Sequence, residues 1–128
     1  MKYELAAEIN DLARDIVGKT GLYHIDLERV VFVRSHGSKA RRTLARIHGL
    51  SKVMQLALGI KACYAVELIS ENFDKLESED KIKTLIHELM HVPKSFGGGF
   101  RNHKNYVNSR TVERAFETYC NACRLEQK

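Results

Sequence analysis

One pentapeptide in the second half of the chain, His87-Glu88-Leu89-Met90-His91, carries side chains that can bind and use a metal ion. In an α-helix, His87 and His91 lie one turn apart on the same face, where their imidazole nitrogens can hold one Zn²⁺. Glu88 lies about a quarter turn away, beside the metal, where it can accept a proton from a zinc-activated water. The motif therefore predicts a hydrolytic zinc site with Glu88 as the general base.

The segment around this motif has the pattern of an amphipathic helix with marked ends. Ser78 suits the N-cap position, and acidic residues follow it in the first turn. Pro93 disfavours helical geometry at the residue before it, so the helix should end there. The apolar residues fall on the face opposite the histidines: Ile82, Leu85, Ile86 and Leu89.

A catalytic zinc ion usually takes three protein ligands and keeps a fourth position for water, so one ligand must come from elsewhere. Three consecutive glycines at 97–99 allow the backbone to turn tightly back past the helix, and His103 follows them. The rival third ligand is Glu113, on the next predicted helix. We favour His103, because the glycine turn leads directly to it.

The segment from about residue 45 to 103 resembles a family of small metallopeptidases of phages and archaea. The matching pieces are ARIHGL, MQLALGIKACYAVELI, FDKL and IHELMHVPKSFGGGFRNH. More distantly, the segment is similar to the SprT-like zincins, which also place a third histidine in a loop after HExxH. The resemblance implies that His87, His91 and His103 are the metal ligands and that Glu88 is the catalytic residue.

Composition indicates one α+β domain spanning residues 1–128. The chain is 44% apolar and has no long polar tract, so it can bury a core of its own. No apolar run approaches the length of a membrane span, and the first residues have no signal-peptide core. Three cysteines fit a reducing compartment. We therefore expect a cytoplasmic protein without a membrane partner.

The predicted elements form a minimal zincin-like domain, in which a small twisted sheet packs with an N-terminal helix, the HExxH helix and a C-terminal helix. The apolar spacing predicts the first helix from about Tyr3 to Val17 and the last from Asn108 or Ser109 to Leu125. Strands are predicted at Arg29–Arg34 and at Cys63–Ile69. Residues 51–59 fit either a short helix or a buried strand. The resemblance to zincins implies that the strand before the active-site helix lies along the cleft, where its edge can pair with an extended substrate.

The densest positive charge lies in the segment from residue 34 to 46, which looks like a turn followed by a strand. Such a cluster could bind the phosphates of a nucleic acid. A solvated hairpin is the favoured interpretation, because no aromatic side chain interleaves the charges as a stacking platform. The basic residues are Arg34, Lys39, Arg41, Arg42 and Arg46.

Other potential metal-binding or reactive side chains are interpreted as structural. Cys120 and Cys123 form a CxxC pair near the end of the last helix, but a structural zinc site needs four ligands and no second pair lies at the required spacing. We expect ordinary thiols there and one Zn²⁺ per chain. The remaining histidines have no helical spacing to one another and are expected to be structural or solvated: His24, His36 and His48.

The sequence thus predicts a zinc metallopeptidase acting on a peptide or protein. Three alternatives stay open. They are a zinc-containing nucleic-acid-associated module, an SprT-like protease that acts on DNA-bound proteins, and a metal-dependent hydrolase of another substrate. Asp74 or Glu113 could orient a ligand imidazole. The oxyanion donor is left open among three side chains: Arg101, Tyr106 and Arg110.

Overall fold

The computed structural model describes residues 1–103 and 105–127, which form a four-stranded mixed sheet and five α-helices. This architecture confirms the predicted α+β class with a small sheet. The strands are β1 (Lys2–Leu5), β2 (Val30–His36), β3 (Ala45–Gly49) and β4 (Tyr64–Ile69). The helices are α1 (Glu8–Thr20), α2 (Lys52–Leu58), α3 (Ser70–Phe73), α4 (Ser78–Met90) and α5 (Ser109–Glu126).

The order of strands in the sheet is β1-β2-β4-β3. Strands β2 and β4 run parallel, whereas β1 and β3 are antiparallel to their neighbours. Because β4 is hydrogen-bonded on both sides, the expectation that the strand before the HExxH helix offers a free edge is wrong. Next to β4, strand β3 forms the edge of the sheet, because it pairs with β4 on one side only.

The hydrophobic core lies between one face of the sheet and the helices. Phe32, Val66 and Leu68 point from neighbouring strands into this core, where they meet Leu85 and Leu89 of α4. Each of these side chains is at most 2% exposed. Since side chains alternate across a strand, residues between them point to the other face of the sheet. Helix α4 is therefore fixed to the sheet by its apolar side, and its polar side is free to carry chemistry.

The N-terminal segment differs from its prediction. Residues 2–5 form an edge strand paired with β2, with Leu5 opposite Val33, and the helix begins only at Glu8. Leu5 falls within the predicted helix, yet it lies in the strand and is 74% exposed. Pairing with β2 gives hydrogen-bond partners to backbone N–H groups that would have none in the first turn of a helix.

Helix α1 also ends later than predicted. It continues through Gly18 to Thr20 and stops at Gly21, which adopts a φ of 80°. The N–H of Gly21 donates a hydrogen bond to the Val17 carbonyl. A glycine in the left-handed conformation is a common C-cap after the last helical turn, so Gly21 ends α1.

Caps decide the remaining helix boundaries. The ambiguous segment is the short helix α2, where the Ser51 hydroxyl accepts a hydrogen bond from the Met54 N–H at 3.2 Å. Ser78 is the first helical residue of α4, and Glu77 precedes it at the cap position, so the predicted Ser78 cap is wrong. In α5, Asn108 and Thr111 form a reciprocal capping box. No helix in the described part of the chain is long and apolar enough to cross a membrane.

Candidate metal centre

His87 in the last turn of α4 and His91 directly after the helix point toward each other. Their Nε2 atoms lie 3.3 Å apart. Two nitrogens bound to one tetrahedral zinc ion, with bonds of about 2.0–2.1 Å, lie about 3.3–3.4 Å apart. The separation set by the helix therefore fits shared coordination of one metal ion.

His103 lies beside this pair. Its ring centroid is 4.5 Å from that of His91 and 5.4 Å from that of His87. One potential ligand atom from each histidine lies within 4.8 Å of the other two. Across residues 1–103 and 105–127, this is the single group of three or more His, Cys, Asp or Glu side chains with such spacing. The geometry can hold a metal ion, and the chain thus brings together the three histidines named from the sequence.

The backbone of Arg101 orients one of these imidazoles. Nδ1 of His91 lies 2.8 Å from the Arg101 carbonyl oxygen, and the Arg101 N–H donates to the His91 carbonyl at 2.7 Å. A carbonyl oxygen only accepts hydrogen bonds, so His91 must carry its proton on Nδ1. Its Nε2 lone pair is then free to face the other two histidines, as a metal ligand requires.

The two carboxylates expected to orient an imidazole form ion pairs with basic side chains instead. Asp74 pairs with Arg34 at 3.3 Å, and Glu113 pairs with Lys83 at 3.0 Å. The hydrogen-bond partner of His91 Nδ1 is instead the Arg101 backbone carbonyl, so the expectation that Asp74 or Glu113 orients this imidazole is wrong. The ion pair with Lys83 also places the Glu113 side chain outside the histidine cluster, which weakens its case as the third ligand.

The glycine loop that leads to His103 is fastened to the sheet by Tyr64. The buried Tyr64 hydroxyl accepts a hydrogen bond from the Gly98 N–H at 2.8 Å and donates to the Gly99 carbonyl at 2.9 Å. Gly98 adopts a φ of 99°, and a Cβ there would lie 2.3 Å from the Leu50 carbonyl oxygen. Only glycine fits this position, because both the backbone conformation and the space exclude a side chain.

We expect Tyr64→Phe to weaken metal binding about tenfold and to lower the free energy of unfolding by about 1–3 kcal/mol, since two backbone groups of the loop lose a buried partner. Calorimetric titration with metal and denaturant melts of the same preparation measure the two effects. Tyr23→Phe is the matched control. The exposed Tyr23 hydroxyl also donates a hydrogen bond to a backbone carbonyl, but that carbonyl belongs to Gly18 in α1 and not to the glycine loop. Equal metal affinity in Tyr64→Phe and wild type would show that the loop needs no such fastening.

Burial determines the electrostatics of the centre. Glu88 is only 7% exposed, and this burial raises the pKa of its carboxyl group to about 7. Burial, followed by the neighbouring His91 and His103, lowers the pKa of His87 to about 4. Burial also lowers the pKa of His91. His87 and His91 are therefore neutral near pH 7, the form in which an imidazole can bind a metal, and the pKa of Glu88 lies in the range that suits a general base.

Two concave pockets meet at His87 and Glu88. The histidine pocket, about 570 Å³ in volume, contains the three histidines and is bordered by Phe100 and Arg101. The side pocket, ≈ 550 Å³, extends from Glu88 toward the start of α4 and the start of α5. Residues 43 and 45 border both pockets. Together the pockets form one cleft that follows the edge strand β3.

The three suggested oxyanion donors differ in whether they border the histidine pocket. Arg101 borders the histidine pocket, and its guanidinium lies 5.0 Å from the centre of the Tyr106 ring. Arg110 is exposed in the first turn of α5. Of the three, Arg101 is thus the side chain that the structure places at the pocket with the histidines.

The predicted basic segment divides into two parts. Arg34 forms ion pairs with Glu8 and Asp74, and its side chain is 19% exposed. Lys39, Arg41 and Arg42 lie exposed in the loop before β3. The cluster is therefore smaller than the sequence suggested, and support for nucleic-acid binding is lacking.

The other histidines and Cys123 have partners outside the centre. Cys123 Sγ lies 3.6 Å from Lys19 Nζ, which bridges α1 and α5 through Asp15 and Glu126. Each of the three histidines expected to be structural has a hydrogen-bond partner: His24 with the Val92 carbonyl, His36 with Glu4 and His48 with Glu67.

Comparison with known proteins gives one match. A family model described as "Putative phage metallopeptidase" matches residues 1–121. No curated protein and no solved structure matches the chain. The family match spans the whole sheet, α4 and the glycine loop with His103.

Proposed function

Because the chain belongs to the phage metallopeptidase family, we propose that it is a zinc-dependent peptidase in which His87, His91 and His103 hold the ion and Glu88 is the general base. The family is one of metal-dependent proteases, which act on proteins or peptides. We further propose that residues 1–128 form one domain with one zinc site. The observation that supports the proposal most strongly is the convergence of three imidazoles beside a buried carboxylate.

The donor set favours zinc. Imidazole nitrogens suit zinc better than they suit magnesium or calcium, which prefer oxygen ligands. Three protein ligands leave a fourth tetrahedral position for water or substrate, as catalytic zinc sites require. The 3.3 Å separation of the His87 and His91 nitrogens agrees with the dimensions of such a site.

The chain's own residues would divide the work of hydrolysis. When bound, zinc lowers the pKa of water and polarises the scissile carbonyl. Glu88 takes a proton from the attacking water and delivers it to the leaving amine. The free edge of β3 pairs with the backbone of an extended peptide and holds the scissile bond over the histidine pocket.

We propose Arg101 as the side chain that stabilises negative charge on the scissile carbonyl oxygen. Arg101→Met keeps the backbone carbonyl that orients His91, so we expect kcat to fall about 10²-fold while metal affinity changes little. Steady-state kinetics and metal titration measure both quantities. Arg110→Met is the matched control, and an equal loss of kcat in both variants would remove Arg101 from this role.

The decisive experiment combines elemental analysis with a peptide cleavage assay. We expect one zinc per purified chain, loss of cleavage when a chelator removes the metal, and recovery when zinc is restored. A protein that holds zinc stoichiometrically but cleaves no protein or peptide would contradict the proposed function. Two zinc ions per chain, one of them released by blocking Cys120 and Cys123, would show that the CxxC pair binds metal.

A further inference from the structure

The side pocket has apolar walls. Leu44, Leu76 and Val112 line it from the loop before β3, the segment before α4 and the start of α5. Its polar groups near α4 already have partners within the chain. Lys83 pairs with Glu79 at 3.1 Å and with Glu113 at 3.0 Å, and the Thr84 hydroxyl donates to the Asp80 carbonyl at 2.7 Å. The surface that remains for a ligand is therefore mostly apolar.

The position of Glu88 relates this pocket to one side of the scissile bond. Glu88 and His87 border both pockets, whereas His91 and His103 border only the histidine pocket. The carbonyl must lie over the histidines, and the leaving amine must lie within reach of Glu88 to receive its proton. A peptide that follows β3 then places the residue contributing the amine on the side of the cleft where the side pocket begins.

A positively charged loop lies where the side pocket opens to solvent. Arg42 borders the pocket, and Lys39 and Arg41 precede it in the same exposed loop. Among the described residues, these three cations form no ion pair, in contrast to Arg34. The one carboxylate on the pocket's own rim apart from Glu88 is Asp80. A peptide that continues beyond the pocket meets a surplus of positive charge.

We propose that the cleft selects peptides that carry a large apolar side chain directly after the scissile bond, followed by acidic residues. This substrate class rests on the proposed peptidase function. The apolar side chain fills the side pocket between Leu44, Leu76 and Val112. The acidic residues face the loop that contains Lys39, Arg41 and Arg42. The basic segment thereby serves substrate recognition.

The two parts of this preference differ in strength. A phenylalanine in place of alanine removes a large apolar area from water, so we expect about tenfold tighter binding, even in an open pocket. The loop cations are exposed, so exchanging two acidic residues for lysines should cost about fivefold at low salt and less at high salt.

Recognition can be measured without turnover on the zinc-loaded Glu88→Gln protein. Four fluorescein-labelled peptides have the same sequence except at two places. The residue directly after the scissile bond is Phe or Ala, and a later pair of residues is Glu-Glu or Lys-Lys. We expect the Phe/Glu-Glu peptide to bind most tightly and the Ala/Lys-Lys peptide least. Arg42→Glu in the same background should reduce or reverse the charge preference. Arg14→Glu, on exposed α1 surface away from the cleft, should leave it unchanged.

A second variant tests where the apolar side chain binds. Leu44→Trp narrows the side pocket, and Leu44 is not part of the main hydrophobic core. We expect the preference for Phe over Ala to shrink at least threefold, whereas the charge preference persists. An unchanged Phe preference in Leu44→Trp would place the apolar contact elsewhere and overturn the assignment of this pocket.

Cleavage of the same peptides by the wild-type protein separates the two proposals. Equal affinities for all four peptides, or no binding of any, would overturn the substrate class whether or not peptides are cleaved. Selective binding together with no cleavage of any peptide would uphold the substrate class and contradict the peptidase function. Cleavage of all four at equal kcat/KM would uphold the peptidase function and overturn the selectivity.

Discussion

Glu88→Gln should lower the rate of peptide cleavage by about 10³-fold while metal content stays near that of the wild type. Glutamine keeps the size of the side chain and can hydrogen-bond, but it cannot accept the proton of the attacking water. The three histidine nitrogens that converge on one point remain unchanged in this variant. Elemental analysis and steady-state kinetics on the same preparation separate the two effects.

The control for this prediction is His87→Ala, which removes a ligand of the proposed site and should lose metal and activity together. If Glu88→Gln loses metal as readily as His87→Ala, Glu88 is itself a ligand and the proposed mechanism is wrong. A Glu88→Gln protein with undiminished cleavage would exclude general-base catalysis by this residue.

His103→Ala should weaken zinc binding by more than about 100-fold, because it takes one of three ligands away from the ion. Glu113→Ala is the matched comparison, since the two residues are the alternatives for the third position. The structure places His103 beside both helix histidines, whereas Glu113 forms an ion pair with Lys83. We therefore expect Glu113→Ala to bind zinc with nearly wild-type affinity.

Competition titrations against a chromophoric chelator measure these affinities directly. A His103→Ala protein that retains zinc fully, together with a Glu113→Ala protein that loses it, would move the third ligand to α5. Circular dichroism of both variants in the absence of metal checks that neither substitution unfolds the chain.

The parts of the fold that were predicted correctly depend on local patterns. Helix α4 has an apolar stripe and is followed by Pro93, and it ends at Met90, close to the predicted end before the proline. Strand β4 is a short run of mostly buried residues, and α5 begins beside a good capping residue, Asn108. Because each of these features is encoded within one or two turns of chain, sequence spacing is sufficient to find them.

The errors share a different physical origin. Residues 2–5 have helical spacing with α1, but the edge of β2, about thirty residues away, offers them a ladder of backbone hydrogen bonds. The order of strands likewise depends on pairing between distant segments, so the sequence did not reveal that β3, rather than β4, carries the free edge. Tertiary pairing overrides local preference in both cases.

The candidate site shows the same division. The three histidines were found because imidazole is chemically distinctive and the spacing of two of them fits a helix. The acceptor for His91 is the Arg101 carbonyl, a group that every residue possesses, and so its identity carries no sequence signature. Tyr64 was visible only as an aromatic residue in a buried strand, and nothing local indicated that its hydroxyl holds the glycine loop.

The tethered loop that carries His103 has a consequence for how the protein resists unfolding. Two of the proposed ligands belong to α4, whereas the third reaches them from a segment fastened to β4 through Tyr64. An ion bound by all three would act as a removable cross-link between regions that are separate in the chain. Thermodynamic linkage then requires each tenfold rise in free zinc above its dissociation constant to add about 1.4 kcal/mol to stability. Scarcity of zinc would thus abolish catalysis and also leave the chain open to degradation.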